Sequence, residues 1–272
     1  MQSSFIGIFD SGVGGLAVHR AARELLPQQS FVYVADSGFA PYGDREPAYI
    51  AHRVAAIADA LVERGAQALV IACNTATVTA VAALRAKHPI PIVGIEPAIK
   101  PAAALSRGGR VIVLATQRTT ESEAVARLCA RHGAGAQIVL QACPGLADLV
   151  EAGHIDGEAV TGLLKRYLAP VAARAGDVIV LGCTHFTFLA DRIRGLVGPD
   201  VVLIEPSAAV ARQLARRLPT GPAHDGPASE TFYTTAATPP AIGAVMSKLL
   251  GRRVEALAAH GLGLAMPAIP PP

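Results

Sequence analysis

The chemistry in this chain is concentrated in its cysteines, four in 272 residues at positions 73, 129, 143 and 183. Two of them share a setting. In LVIACNTA around Cys73 and VIVLGCTH around Cys183, a thiol follows an apolar strand-like run and precedes small polar residues, Asn74-Thr75 and Thr184-His185. Such residues suit a helix N-cap, where free amides and the positive end of the helix dipole favour a thiolate. Two activated thiols on opposite sides of a cleft could take a proton from one face of a carbon acid and return one to the other face. Cys129, inside the helical run EAVARLCARHG, reads as a packing residue, and Cys143, before Pro144-Gly145, as structural.

Three further residues could support those thiols. Asp10 ends an apolar run and opens the glycine loop FDSGVGG. Loops of this kind present amides to an anion, so a small carboxylate or ammonium ligand is expected here, with Asp10 free to hold an amine or orient a neighbour. The GxGG spacing is a poor dinucleotide fingerprint. His185 stands two residues after Cys183 and could polarise it or exchange protons. Cys-x-His also raises zinc, but no CxxC or HExxH accompanies it, so no metal is expected. Glu151, in LADLVEAGH, reads on spacing alone as a solvated helix end.

The elements that must position these residues alternate between short Val/Ile-rich runs and Ala/Arg/Leu stretches of helical period, the pattern of βαβ units. Eight strands are expected, at 5–9, 31–35, 68–72, 92–95, 111–115, 137–141, 178–182 and 201–204. One barrel or two smaller sheets would accommodate them, and an internal repeat decides for two. IGIFDSGVGG pairs with VIVLATQRTT, and FVYVADSG with QIVLQACPG. The two cysteine segments pair most closely, each followed by a helical stretch and a strand ending in Ile-Glu-Pro, at Glu96 and Glu205. A period of about 110 residues is far too long for a solenoid unit and fits a duplicated domain. The expected organisation is α/β, with a first lobe of residues 1–97 plus 207–255, a second lobe of 98–206, and a flexible Pro-rich tail over 256–272. Ligands in such sheets gather beyond the carboxyl ends of the strands, where both cysteines fall.

Bulk composition narrows the function class. Hydrophobic residues make up 51% of the chain but lie in short runs broken by charges, so no membrane association is expected. Met1-Gln-Ser-Ser leads directly into an apolar segment without a signal-peptide pattern, which gives a cytoplasmic expectation and reduced thiols. A net charge of +3 without a basic stripe, together with 4% aromatics, argues against nucleic-acid binding. No lysine sits in a recognisable pyridoxal phosphate context, so no cofactor is expected.

FDSGVGG, PYG at 41–43, ACNTA at 72–76, ATQRT at 115–119, LVEAG at 149–153 and GCTH at 182–185 together resemble the glutamate racemases of the aspartate/glutamate racemase superfamily. The match runs from about Ile6 to Leu218, and six motifs in order are far more specific than any one. The resemblance implies two flavodoxin-like lobes with the active site between them, no cofactor, and interconversion of L- and D-glutamate for bacterial peptidoglycan. It implies Cys73 and Cys183 as the two acid/base residues, Asp10 and His185 assisting their respective thiols, and Glu151 near the second. Asp10, Ser11, Tyr42, Gly43, Asn74, Thr75, Thr184 and His185 become substrate contacts, with Thr116 and Thr119 lining the cleft. Glutamate is the implied small-molecule partner, and a homodimer is the family-like expectation. Departures from the family pattern fall at Phe39, Arg118, Phe186-Thr187-Phe188 and Glu205-Pro206. A racemase of aspartate or another acidic amino acid, a decarboxylase of the superfamily and a non-catalytic two-lobed amino-acid-binding protein remain the alternatives.

Overall fold

The computed structural model describes residues 4–106, 109–133, 135–218 and 227–264. All eight expected strands form: β1 (Phe5–Asp10), β2 (Phe31–Ala35), β3 (Ala66–Ile71), β4 (Ile92–Gly94), β5 (Arg110–Ala115), β6 (Gln137–Ala142), β7 (Val178–Leu181) and β8 (Val202–Ile204). Two more follow, β9 (Glu230–Thr234) and β10 (Ala256–Ala258). The strands make two sheets, ordered β10-β9-β2-β1-β3-β4 and β6-β5-β7-β8, and every pairing is parallel.

The duplication is visible in the strand order itself, because β2-β1-β3-β4 of one sheet corresponds to β6-β5-β7-β8 of the other. Parallel strands require crossover connections, and most of these are helices covering the sheet faces. The central strands β1 and β7 are therefore buried along their whole length, which is why FIGIFD and VIVL are almost continuously apolar. The largest core cluster draws on both sheets, with Ile6 and Ile8 alongside Ile112, Leu114 and Leu181. After β8 the chain returns through the helix Ser207–Arg217, which packs on the helix Leu16–Leu25 that follows β1.

The expected tail from residue 256 is corrected. Ala256–Ala258 is a strand hydrogen-bonded to β9, and Ala259, Leu262 and Leu264 are buried against the first lobe's second core cluster. The physical reason is edge coverage. Without β10, strand β9 would leave its outer row of amides and carbonyls unpaired. Residues 265–272 of that segment lie outside the described residues. Among the described residues no helix is long and apolar enough to cross a membrane.

Candidate active site

The carboxyl ends of β1, β3, β5 and β7 deliver Asp10, Cys73, Thr116 and Cys183 to one region. Both thiols are buried, at 5% and 6% exposure, and all four cysteines are free. A charge on Cys183 is felt at Cys73, so the two sulfurs share one electrostatic environment.

Cys73 caps the fourteen-residue helix Asn74–Lys87, its Sγ accepting the Ala76 amide at 3.4 Å and donating to Ser11 Oγ at 3.6 Å. The expected activation by the helix terminus is overruled. Burial, and then the neighbouring Asp10 charge, push the Cys73 thiol well up despite the opposing pull of the Ala76 amide. Cys73 is therefore held as a protonated thiol. Asp10 is raised as well, first by burial and then by the Glu151 charge, against the pull of His185 and the Gly15 amide.

Cys183 differs from its repeat partner. It precedes only a short 3-10 turn, Thr184–Leu189, and its side chain makes no capping hydrogen bond. The expectation of a helix terminus at both thiols holds for Cys73 alone. The neighbour of Cys183 is instead His185, with Nδ1 3.7 Å from Sγ and Nε2 2.5 Å from Glu151 Oε1. Burial disfavours a charged imidazole, but the contacts with Cys183 and Glu151 outweigh it and hold His185 well above its usual range.

Glu151 is not a solvated helix end. It closes the helix Leu146–Glu151 of the second lobe and reaches the first, where Oε1 accepts the Val13 amide at 2.6 Å and Oε2 accepts the Ser37 hydroxyl at 3.0 Å. This also corrects the reading of the glycine loop. Asp10 takes the Ser11 and Gly15 amides at 2.8 and 2.6 Å, so with Val13 three loop amides are filled by the protein's own carboxylates. Glycine is needed for close approach instead. A Cβ on Gly12 would lie 1.8 Å from Glu151 Oε1, and one on Gly14 would lie 2.4 Å from His185 Nδ1.

The remaining expected residues converge on the same region. Thr184 Oγ1 donates to Asp10 Oδ2 at 3.4 Å, joining the lobes again. Thr75 Oγ1 lies 3.0 Å from Thr116 Oγ1 and 3.2 Å from Thr119 Oγ1. Gly43 closes on Thr116, whose Cβ would be 3.1 Å from an added Cβ. Asn74 is 2% exposed, and neither side-chain polar atom has a protein partner, an arrangement that calls for a ligand. Cys143 is buried near Cys183, and burial followed by that neighbour's charge pushes its thiol up to about 12. Cys129 is half-buried at the edge of a core cluster.

Sequence reasoning missed Ser37, and also Tyr33, whose hydroxyl donates to the Gly12 carbonyl at 2.7 Å and supports the loop. The signal for Ser37 was its place just past the carboxyl end of β2, which lies beside that of β1, whereas Tyr33 sits mid-strand opposite Ile8. Among the described residues there is no group of three or more His, Cys, Asp or Glu arranged to hold a metal.

An Asp/Glu/Hydantoin racemase family model matches residues 16–214. The chain belongs to that family. It is an amino-acid racemase, an isomerase. Among its relatives, the glutamate racemase of Pseudomonas entomophila strain L48 is 46% identical over 250 residues, covering 91% of this chain and 94% of the relative. That of Pseudomonas aeruginosa strain PAO1 is 47% identical over 219 residues, covering 80% and 83%. Escherichia coli glutamate racemase, solved with L-glutamate and the activator UDP-MurNAc-Ala, superposes with a TM-score of 0.83 at 34% identity, covering 95% of this racemase and 98% of that chain. Glutamate racemase isoform RacE1 of Bacillus anthracis gives 0.82 at 30%, with the same coverage. The positions expected from the sequence to depart from the family pattern are partly joined. Thr187 Oγ1 donates to Glu205 Oε1 at 3.2 Å, and the same oxygen accepts the Ser207 amide at 2.8 Å. Arg118 Nη2 lies 3.9 Å from Glu46 Oε1 on the first lobe.

Proposed function

We propose that this racemase interconverts L- and D-glutamate without a cofactor, using Cys73 and Cys183 as the two proton-handling groups. The observation that carries the reading is the pairing of buried thiols at equivalent strand ends with opposite electrostatic company. Cys73 sits beside a carboxylate and keeps its proton, while Cys183 sits beside an imidazole biased toward its cation. In one direction a thiolate at Cys183 takes the α-proton, leaving the electron pair on Cα delocalised toward the α-carboxylate. Cys73 then delivers its own proton to the opposite face, and the roles reverse for the other enantiomer. Donors from Asn74, Thr75, Thr184 and His185 stabilise the carbanion, since charge developing in a water-poor site is stabilised most by donors already in place. Asp10 and Ser11 with the Tyr42-Gly43 turn seat the remaining polar groups of the substrate, and Thr116 and Thr119 line the cleft. The substrate comes from the relatives, whose names specify glutamate across more than nine-tenths of this chain. The product D-glutamate would feed bacterial peptidoglycan, and two catalytic thiols that must stay reduced suit a cytoplasmic setting.

The deciding experiment is a single turnover in D2O, with the two enantiomers separated and weighed by mass spectrometry. Product should carry solvent deuterium, while substrate recovered early stays protiated. Product that retains the original protium would point to one swinging base and end the two-thiol reading. Parallel circular-dichroism assays with L-glutamate, D-glutamate and L-aspartate test the substrate directly.

A further inference from the structure

A charged cluster that takes no part in the proton transfers lies buried beneath the Pro41-Tyr42-Gly43 turn. Arg53, in the helix Pro47–Glu63, is 2% exposed, and Asp36, directly after β2, is fully buried. Arg53 donates to Asp36 through two nitrogens, Nε to Oδ2 at 3.0 Å and Nη2 to Oδ1 at 2.6 Å. The Tyr42 hydroxyl donates to Asp36 Oδ2 at 2.5 Å, and the guanidinium carbon lies 3.6 Å from the centre of the Phe39 ring. The Asp36 amide donates to the Asp10 carbonyl at 3.0 Å, which anchors the cluster to the strand end that also carries Asp10.

A buried ion pair contributes little net stability, because desolvation offsets most of its attraction. Its forked geometry does fix position. Asp36 accepts from three donors arriving from two directions, the turn and the following helix, so Tyr42 has one allowed placement relative to β2. Burial, and then the Asp36 charge, hold the Tyr42 phenol well above its usual range, which keeps its hydrogen in place as the donor. Tyr42 also lies within electrostatic reach of Cys73, and the next residue, Gly43, closes on Thr116 of the second lobe.

We propose that the Asp36–Arg53 pair is a positioning device for the Tyr42-Gly43 turn and sets the affinity of the site for the substrate's carboxylate end, rather than the rate of proton transfer. The inference rests on the reading of that turn as part of a glutamate seat. Binding shared equally by ground and transition states appears in KM and leaves kcat. Tyr42→Phe deletes one hydrogen bond and no packing volume, and Asp36→Asn removes the charge at constant shape. Each should raise KM for both glutamate enantiomers by about tenfold, with kcat within about threefold of wild type. A purely structural role would lower the melting temperature and leave KM at its native value, and that result overturns the proposal. Loss of kcat at native KM also overturns it, by moving the effect to the thiol. Should Asp36→Asn fail to fold, Tyr42→Phe alone decides. The wild-type enzyme is assayed in parallel. If it does not turn over glutamate, the substrate reading falls and this inference with it, whereas native KM values in active, folded variants sink only the positioning role.

Discussion

Glu151→Gln isolates the charge that biases His185. In the native site Oε1 accepts from Val13 and faces His185 Nε2, while Oε2 accepts from Ser37. A glutamine in the same rotamer keeps its oxygen on Val13 and His185. Its amide nitrogen can donate to Ser37, whose hydroxyl both donates and accepts. The bonds persist and only the negative charge is lost. An opposite charge at this range shifts a pKa by about 1 to 3 units, each unit being about 1.4 kcal/mol. His185 is raised above its unfolded value, so the stabilisation of its cation is complete below that value and is lost as pH rises through the folded one. Removing Glu151's charge moves that loss to lower pH. The alkaline limb of kcat/KM should accordingly move acidward by about 1 to 3 units, with the plateau below it kept within a few-fold. Circular dichroism from each pure enantiomer gives the profile. Because enantiomers have equal free energy, kcat/KM must be the same in both directions at every pH, so the shift has to appear identically in both. An alkaline limb that stays in place, or moves to higher pH, would refute the role given to the His185–Glu151 pair.

Cys73→Ser and Cys183→Ser should each lower racemisation by about 10²- to 10⁴-fold, the range of a positioned acid or base, and a variant within tenfold of native removes that sulfur from the reaction. Gly12→Ala places a methyl 1.8 Å from Glu151 Oε1 and should displace that carboxylate. Its loss of kcat/KM should match that of Glu151→Ala, with no further loss in the double variant, whereas additive losses would separate the two sites. Asp177 is a stability test away from the cleft. Burial raises its carboxyl, but bonds from Arg110 and the Arg174 amide outweigh this and hold it below its usual range. A depressed carboxylate contributes stability above its unfolded value and loses it as pH falls through the folded one. Asp177→Asn should cost about 1 to 3 kcal/mol near neutral pH by chemical denaturation, with the gap closing in acid, and a gap independent of pH would assign the effect to packing.

The sequence exposed the parts of this racemase that repeat. The inner parallel strands are buried on both faces and must be apolar, and the part-exposed edge strands β6 and β8 carry similar Val/Ile/Leu runs. All eight strands of the duplicated unit therefore stood out, and the matched cysteine segments placed a thiol at the same strand end of each lobe. β10 did not stand out, because Ala-Leu-Ala carries no strand signal of its own and exists by pairing with β9. β9 is different, since Thr-Phe-Tyr-Thr has strong β propensity but lies outside the repeat that organised the reading.

What the tertiary structure decided is the electrostatic difference between two thiols that look equivalent in sequence. A cysteine before two small polar residues predicts a helix terminus and a lowered pKa, and at Cys73 burial and Asp10 reverse that prediction. Glu151 and the glycine loop lie 138 residues apart at the Val13 contact, so nothing local could show that the glycines make room for a carboxylate from the other lobe. Local sequence specifies which groups can hold a proton. Which of them does depends on desolvation and on charges a few ångströms away, and those are set only when each lobe folds and the two then pack together.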